Sequence, residues 1–279
     1  MKKLNIPQNL RFGIDTIEIV IDVNAESRLF KKTYEFSDNR AKVKVNPDKA
    51  YDNRCIVSYT EYKDSVLKAL QQEEIDTPIL RRIDFRWDNM KDDYTTFYKI
   101  NKALILCLDL YYKNDNRYES IDPLTLNEKS IRCENRNIEA EYYNKKLQEP
   151  DSLIQSRLEL RAKRGKYYVG MEPQYFAVFA ERLNKAVCKK QLDRLCNLTF
   201  KALADRWVAE KDICSPCSFL YKYRNAIYTK EMVIELCKYL GYKSPDQQIY
   251  SGKFDLITLD ELIVYKEKLI ETGKEYFEM

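Results

Sequence analysis

Three stretches of the chain alternate apolar and polar residues with a period of two, the signature of a half-buried strand. In "RRIDFRWDN" (81–89), Ile83, Phe85 and Trp87 share one side, and Asp84, Arg86 and Asp88 share the other. In "IEAEYYNKK" (138–146), Ile138, Ala140 and Tyr142 oppose Glu139, Glu141, Tyr143 and Lys145. In "SRLELRAKR" (156–164), Leu158, Leu160 and Ala162 oppose Arg157, Glu159 and Arg161. Weaker strand signals precede them: "IDTIEIVID" (14–22), with Ile17, Ile19 and Ile21 together, "AKVKVNPDK" (41–49), which ends on an Asn-Pro turn, and "RCIVSYTEY" (54–62). "SIRCE" (130–134) reads as the first arm of a hairpin that turns near "NRN" and returns through Ile138.

Helical spacing places a helix over 63–72 and a longer one over 92–112, with Phe97, Ile100, Leu104 and Leu108 on one side. Beyond Gly165 the period becomes helical throughout. Helices are expected over 172–190 and 191–207, and over 229–242 with Thr229 as N-cap and Gly241 just past the end. A last one starts at Thr258, with Glu261 completing a capping box. The pattern predicts an α+β chain: an antiparallel-sheet domain over 1–168, followed by a mainly helical domain over 169–279.

Composition narrows the chemistry. With 44% hydrophobic and 33% charged residues, and only six glycines and eight prolines in 279 residues, the chain is expected to bury a real core. Its formal charge of +4 sets up no strong global field, so a polyanion would have to be met by local patches. Eight cysteines without a framework spacing, and no leader-like start, predict reduced thiols and a cytoplasmic location. No apolar run reaches the ~18 residues of a membrane span, so no membrane partner is expected. The lone C-x-x-C of Cys214 and Cys217 reads as a turn with incidental thiols. The chain has no histidine. That excludes serine or cysteine triads built on His and the zinc hydrolases with His ligands, and it leaves carboxylates and a hard, oxygen-ligated cation such as Mg²⁺ or Mn²⁺.

Two acids two residues apart on one strand face repel unless a cation lies between them. If the three alternating strands are neighbours, Asp84, Asp88, Glu159 and either Glu141 or Glu139 form an oxygen cluster suited to a divalent ion. Arg86, Arg157, Arg161, Lys145 and Lys146 then offer positive charge to a phosphate. The bland alternative is a solvated sheet face laced by cross-strand ion pairs worth about 0.2–1 kcal/mol each. Twenty-two tyrosines, many beside bases as in "YYNKK", "RGKYYVG" and "YKYRN", suit single-stranded nucleic acid. Arg86, Lys146, Arg164, Lys166 and Tyr167 are the candidate DNA contacts. Tyr143 is the first candidate for a tyrosine nucleophile, with Tyr167 and Tyr168 as alternatives.

Taken in order, "IDTIEI", "KVNPDK", "RRIDFRWD", a long helix, "YYNKKLQ" and "SRLELRAKR" resemble rolling-circle replication initiators, in particular the replication initiation factor family of Gram-positive plasmids, phages and integrative elements. The resemblance runs from about residue 10 to about residue 165. It implies a histidine-hydrophobe-histidine-like endonuclease fold in which acids hold the metal and a tyrosine attacks a DNA phosphate. Asp84 and Glu159 resemble the family's acidic positions, with Asp88 and Glu141 as further ligands. Tyr143 and Lys145 match its tyrosine-x-lysine motif, and Arg157 and Arg161 flank the second acid. The implied partners are DNA, single-stranded or as an origin hairpin, host helicase or replication proteins, and a second copy of the chain. The pattern departs at "SIRCEN", where the family has its nucleophilic tyrosine and this chain has none. Three readings stay open: a metal-dependent nicking initiator, an initiator-like protein that binds nucleic acid without cutting it as a regulator or inhibitor, and an interaction protein whose charged strands are a solvated face.

Overall fold

The computed structural model describes residues 9–22, 41–45, 54–60, 79–90, 94–108, 112–114, 117–119, 124, 130–135, 137–168, 170–245 and 254–278. Residues 21–22, 41–45, 54–60, 94–96, 112–114, 117–119 and 164–168 are described by backbone alone. The chain is α+β. Its strands are β1 (Leu10–Asp22), β2 (Ala41–Val45), β3 (Arg54–Thr60), β4 (Ile79–Asn89), β5 (Tyr112–Asn114), β6 (Arg117–Glu119), β7 (Ser130–Glu134), β8 (Ile138–Tyr143) and β9 (Ser156–Tyr168). Its helices are α1 (Tyr94–Cys107), the single turn α2 (Lys145–Gln148), α3 (Glu172–Ala186), α4 (Lys189–Glu210), α5 (Pro216–Lys222), α6 (Lys230–Tyr239) and α7 (Leu259–Glu278). Seven strands form one antiparallel sheet in the order β2-β3-β1-β4-β9-β8-β7, and β5 pairs with β6 apart from it.

The expected helix over 63–72 lies outside the described residues. The one expected over 92–112 ends at Cys107, and Tyr112 instead opens the β5–β6 hairpin. The sequence reading ended β9 at Arg164. The strand runs through Gly165 to Tyr168, and Tyr167 and Tyr168 pair with Leu80 and Ile79 at the start of β4. The helices expected over 172–190 and 191–207 meet earlier than predicted, because Cys188 adopts extended backbone and caps α4. The Thr258–Glu261 capping box forms, with Glu261 N–H donating to Thr258 Oγ1 at 3.1 Å and Thr258 N–H to Glu261 Oε2 at 2.9 Å. Helix α6 closes as a Schellman motif around Gly241, whose φ of +84° is easy only for glycine.

Helices cover one face of the sheet. Ile83, Phe85, Trp87, Leu158, Leu160, Ile138, Ala140 and Ile131 point into a buried cluster that continues through Phe97 and Leu104 of α1, Phe176 and Phe179 of α3, and Leu262 and Leu269 of α7. Met232, Val233, Leu236 and Cys237 of α6 belong to it as well. At its centre Phe12, Phe85, Trp87, Phe176 and Phe277 meet in mostly edge-on contacts, the arrangement aromatic rings prefer. The Trp87 indole N–H donates to the Leu269 carbonyl at 2.9 Å, which fixes α7 against β4. Buried Lys99 of α1 donates to the Arg224 carbonyl at 3.0 Å and ties α1 to the turn after α5. Among the described residues, no helix is long and apolar enough to cross a membrane.

Gly273 of α7 lies where the Phe176 ring needs the space of a β-carbon. Glycine costs a helix interior about 1 kcal/mol relative to alanine, yet Gly273→Ala should destabilise the protein, because overpacking costs about 1–3 kcal/mol. The check is the urea midpoint of Gly273→Ala alone and combined with Phe176→Leu. The single change should lower the midpoint and the pair should recover part of it; an unchanged midpoint in the single variant would mean that the ring gives way freely.

Candidate functional site

The sheet face opposite the helices carries the charges, and strand register decides which meet. Across β4 and β9, Asp84 lies opposite Arg161, Arg86 opposite Glu159, and Asp88 opposite Arg157. Across β9 and β8, Arg161 lies opposite Glu139, Glu159 opposite Glu141, and Arg157 opposite Tyr143. Acids mostly meet bases across the strands, but Glu141 and Glu159 face each other directly, as do Glu134 of β7 and Glu139, and Glu139 and Glu141 follow one another on the same face of β8.

Each acid expected to hold a metal is engaged by a hydrogen-bond donor. Both oxygens of Asp84 accept from Arg82, at 2.7 and 2.6 Å. Both oxygens of Asp88 accept from Arg157, at 2.5 and 3.2 Å. Glu159 takes the Tyr143 hydroxyl on one oxygen at 2.6 Å and Arg161 on the other, while Arg161 also reaches Glu141 at 3.0 Å. Further pairs complete the network: Asp15 with Arg157 and Arg86, Glu18 with Arg82, Glu139 with Arg161, Arg132 and Lys163, and Glu134 with Lys163. Six bases hold eight acids, a formal surplus of two negative charges. Among the described residues, no group of three or more cysteine, aspartate or glutamate side chains is placed to hold a metal ion. The donor set does not fit the expected Mg²⁺ or Mn²⁺, because oxygens that accept from guanidinium N–H groups are not free to ligate it.

The network sets the protonation of its members. Burial would raise Glu139, but the hydrogen bond from Lys163 and the charges of Arg161, Lys163 and Arg132 outweigh it and hold the carboxyl down at about 2. For Asp84 burial wins over Arg82 and Arg161, and the carboxyl is pushed up to about 6. Glu141 is also raised, by burial and by the charges of Glu159 and Glu139. Burial, then the Glu159 charge and hydrogen bond, hold the Tyr143 phenol far above its ordinary range. Tyr143 is 5% exposed.

Asp84, Asp88, Glu141, Glu159, Arg86, Arg157, Arg161 and Tyr143 therefore meet on one face. Lys145 and Lys146 do not. They were read as a continuation of β8, but the Asn144 side chain accepts from the Leu147 N–H at 3.0 Å and starts the helical turn α2. Lys145 pairs there with Glu149 at 2.5 Å, and Lys146 is exposed. The side chains of Arg164, Lys166, Tyr167 and Tyr168 lie outside the described residues. Cys214 and Cys217 are free thiols.

Sequence reasoning missed Asp15, Glu18, Arg82, Arg132, Glu134 and Lys163. Arg82 carried the same two-residue spacing as the acids it joins. Asp15 had a signal too, since Asp15 and Thr16 put two polar residues between Ile14 and Ile17, and the register shift at that point turns Asp15 toward Arg86 and Arg157.

No protein-family model matches the sequence, and no curated protein matches it. Among solved structures the chain is similar to a rolling circle replication initiator protein from Geobacillus stearothermophilus, with 14% identity and a TM-score of 0.29 over 57% of this chain and 76% of that one.

The Glu139 carboxyl gives a signed pH prediction. Its pKa is lower folded than unfolded, so its stabilisation is present above about pH 4.5 and is lost as pH falls toward 2. Glu139→Gln should cost on the order of 3 kcal/mol at pH 7, and the gap from the parent protein should close as the buffer is taken down to pH 2.5. Urea titrations of both proteins across that range measure it; a gap that stays constant would show that the Glu139 charge is not what the arginines hold.

Proposed function

We propose that this chain is a replication-initiator-like protein that binds DNA without cutting it at the sheet face. The reading rests on the way charge is divided between the two sides of the molecule. The sheet face has two surplus carboxylates and its bases are already engaged, so a phosphate is repelled there. A chain of net charge +4 with −2 in that network carries +6 elsewhere. Part of it is a local basic stretch of the helical layer, where residues 172–243 hold thirteen lysines and arginines against eight acids, while residues 244–279 are acidic, with four bases against eight acids. Lys190, Arg194, Asn197 and Lys201 recur at helical spacing on the exposed side of α4. At the end of α5, Tyr221 is 60% exposed, with the Arg224 guanidinium stacked 4.2 Å from its ring centre, while Lys222 beside it pairs with Glu210 at 2.9 Å. Bases for phosphates beside an open ring for stacking suit single-stranded DNA.

The nicking reading has one observation in its favour: the Tyr143 hydroxyl already has a proton acceptor in Glu159, with Arg157 close by at 3.6 Å from that carboxylate. Against it, the phenol is buried and held protonated.

One assay separates the two. Labelled single-stranded DNA and supercoiled plasmid are incubated with the protein, with and without Mn²⁺. Binding that weakens steeply between about 50 and 200 mM salt is expected, with no nick. Lys190→Glu with Lys201→Glu should weaken binding at least about tenfold and lower the salt slope by about 2, whereas Tyr143→Phe should leave it unchanged. A detergent-resistant protein–DNA adduct that disappears in Tyr143→Phe would establish nicking instead.

A further inference from the structure

Arg161 stands apart from the other bases of the network. Its guanidinium meets four carboxylates drawn from three strands: Asp84 of β4, Glu139 and Glu141 of β8, and Glu159 of its own strand. Every one of them has an oxygen within 3.5 Å of a guanidinium nitrogen. Two belong to the directly opposed pair Glu141 and Glu159, and a single nitrogen, Nη2, hydrogen-bonds Glu159 and forms an ion pair with Glu141 at 3.0 Å. Like charges placed opposite each other on neighbouring strands are destabilising, and more so in a half-buried site, unless one cation spans them.

We infer that Arg161 is the resident cation of this cluster, a tethered guanidinium standing where carboxylates so arranged would otherwise call for a divalent ion. The wild-type protein therefore takes up no divalent metal on this face. Removing Arg161 turns the cluster into a divalent-cation site. Asp84 would keep Arg82, and Glu139 would keep Arg132 and Lys163, but Glu141 would keep only the charge of Arg132 opposite it on β7, and Glu159 would keep only the Tyr143 hydroxyl and the more distant Arg157. Two carboxylates facing each other across the space left by a side chain offer hard oxygen ligands from opposite sides, the arrangement that suits Mn²⁺ or Ca²⁺. The inference concerns ion uptake alone. It stands or falls independently of whether the helical layer binds DNA.

The test is thermal unfolding and Mn²⁺ titration calorimetry on the full chain, without DNA. Wild type should melt at the same temperature in EDTA and in millimolar Mn²⁺, and should give no saturable heat. Arg161→Ala should melt roughly 5 to 15 °C lower in EDTA, recover much of the loss in Mn²⁺, and bind about one ion per chain. Arg161→Lys, which keeps a positive charge, should lose less and respond little to Mn²⁺. If Arg161→Ala does not fold in either buffer, the same titration is run on Arg161→Ala with Glu141→Gln, where one of the opposed charges is gone. That variant should fold and should bind Mn²⁺ more weakly than millimolar. Saturable Mn²⁺ binding by wild type that Glu159→Gln removes would overturn the inference. So would folded Arg161→Ala with no response to Mn²⁺, or a double variant that still fails to fold.

Discussion

Charge alternation across three neighbouring strands is the constraint on which the sheet depends. Asp84, Asp88, Glu139 and Glu159 are each 5% exposed or less, and an ionised carboxylate taken that far from water is costly unless donors replace the water. The donors are arginines of the same sheet: register brings Arg157 to Asp88 and Arg161 to Glu139, while Arg82 reaches Asp84 and Arg161 reaches Glu159 along their own strands. A slip of one residue between β4 and β9 would set Asp84 opposite Leu160 or Ala162 and turn one strand's apolar side away from the helices. A slip of two would keep the apolar side inward but face Asp84 with Glu159 and Arg86 with Arg157. The hydrophobic pattern thus fixes which residues share a face, and the ionic pattern selects the register among the pairings that remain.

The alternation was legible in the sequence, and its resolution was not. Period-two patterns at 81–89, 138–143 and 156–164 give the strands and tell which side chains share a face. They do not reveal that the strands lie side by side in the order β4-β9-β8, because that requires connections that skip β5 to β7. Without adjacency, carboxylates two apart on one strand suggest a shared metal ion. With it, each meets a guanidinium, from the next strand for Asp88, Glu139 and Glu141 and from its own strand for Asp84 and Glu159. Arg82 was inside the quoted nonapeptide, and its role follows once residues of equal parity are seen to share a face. Local signals fared unevenly. The Thr258 and Thr229 caps were readable from the residues alone, while Asn144 has the same capping chemistry but sits directly after a convincing strand, so Lys145 and Lys146 were carried along the strand period past its end.

The helical half of the chain supplies what the sheet face cannot. Its buried side joins the same apolar cluster as the sheet, through Phe176, Phe179 and Leu269, so its outer side is free to be basic. A layer that covers the apolar face of a sheet has to present its polar residues outward. Here the basic excess is confined to residues 172–243, which hold thirteen bases against eight acids, and the stretch that follows is acidic.

Of the two opposed acid pairs, Glu134 and Glu139 are bridged by Lys163, whereas Glu141 and Glu159 share Arg161 with two further carboxylates, and there the network is least settled. Asp84 and Glu141 are the two acids whose pKa values rise, and Glu159 is a neighbour of both. A surplus of two negative charges concentrated near one glutamate is a lasting repulsion toward any phosphate that approaches this face. Burial is the main cause that keeps the proton on Tyr143, and the charge and hydrogen bond of Glu159 add to it. For the tyrosine to be released, Glu159 would first have to be neutralised or moved, and Arg161, which grips it from the other side, opposes both.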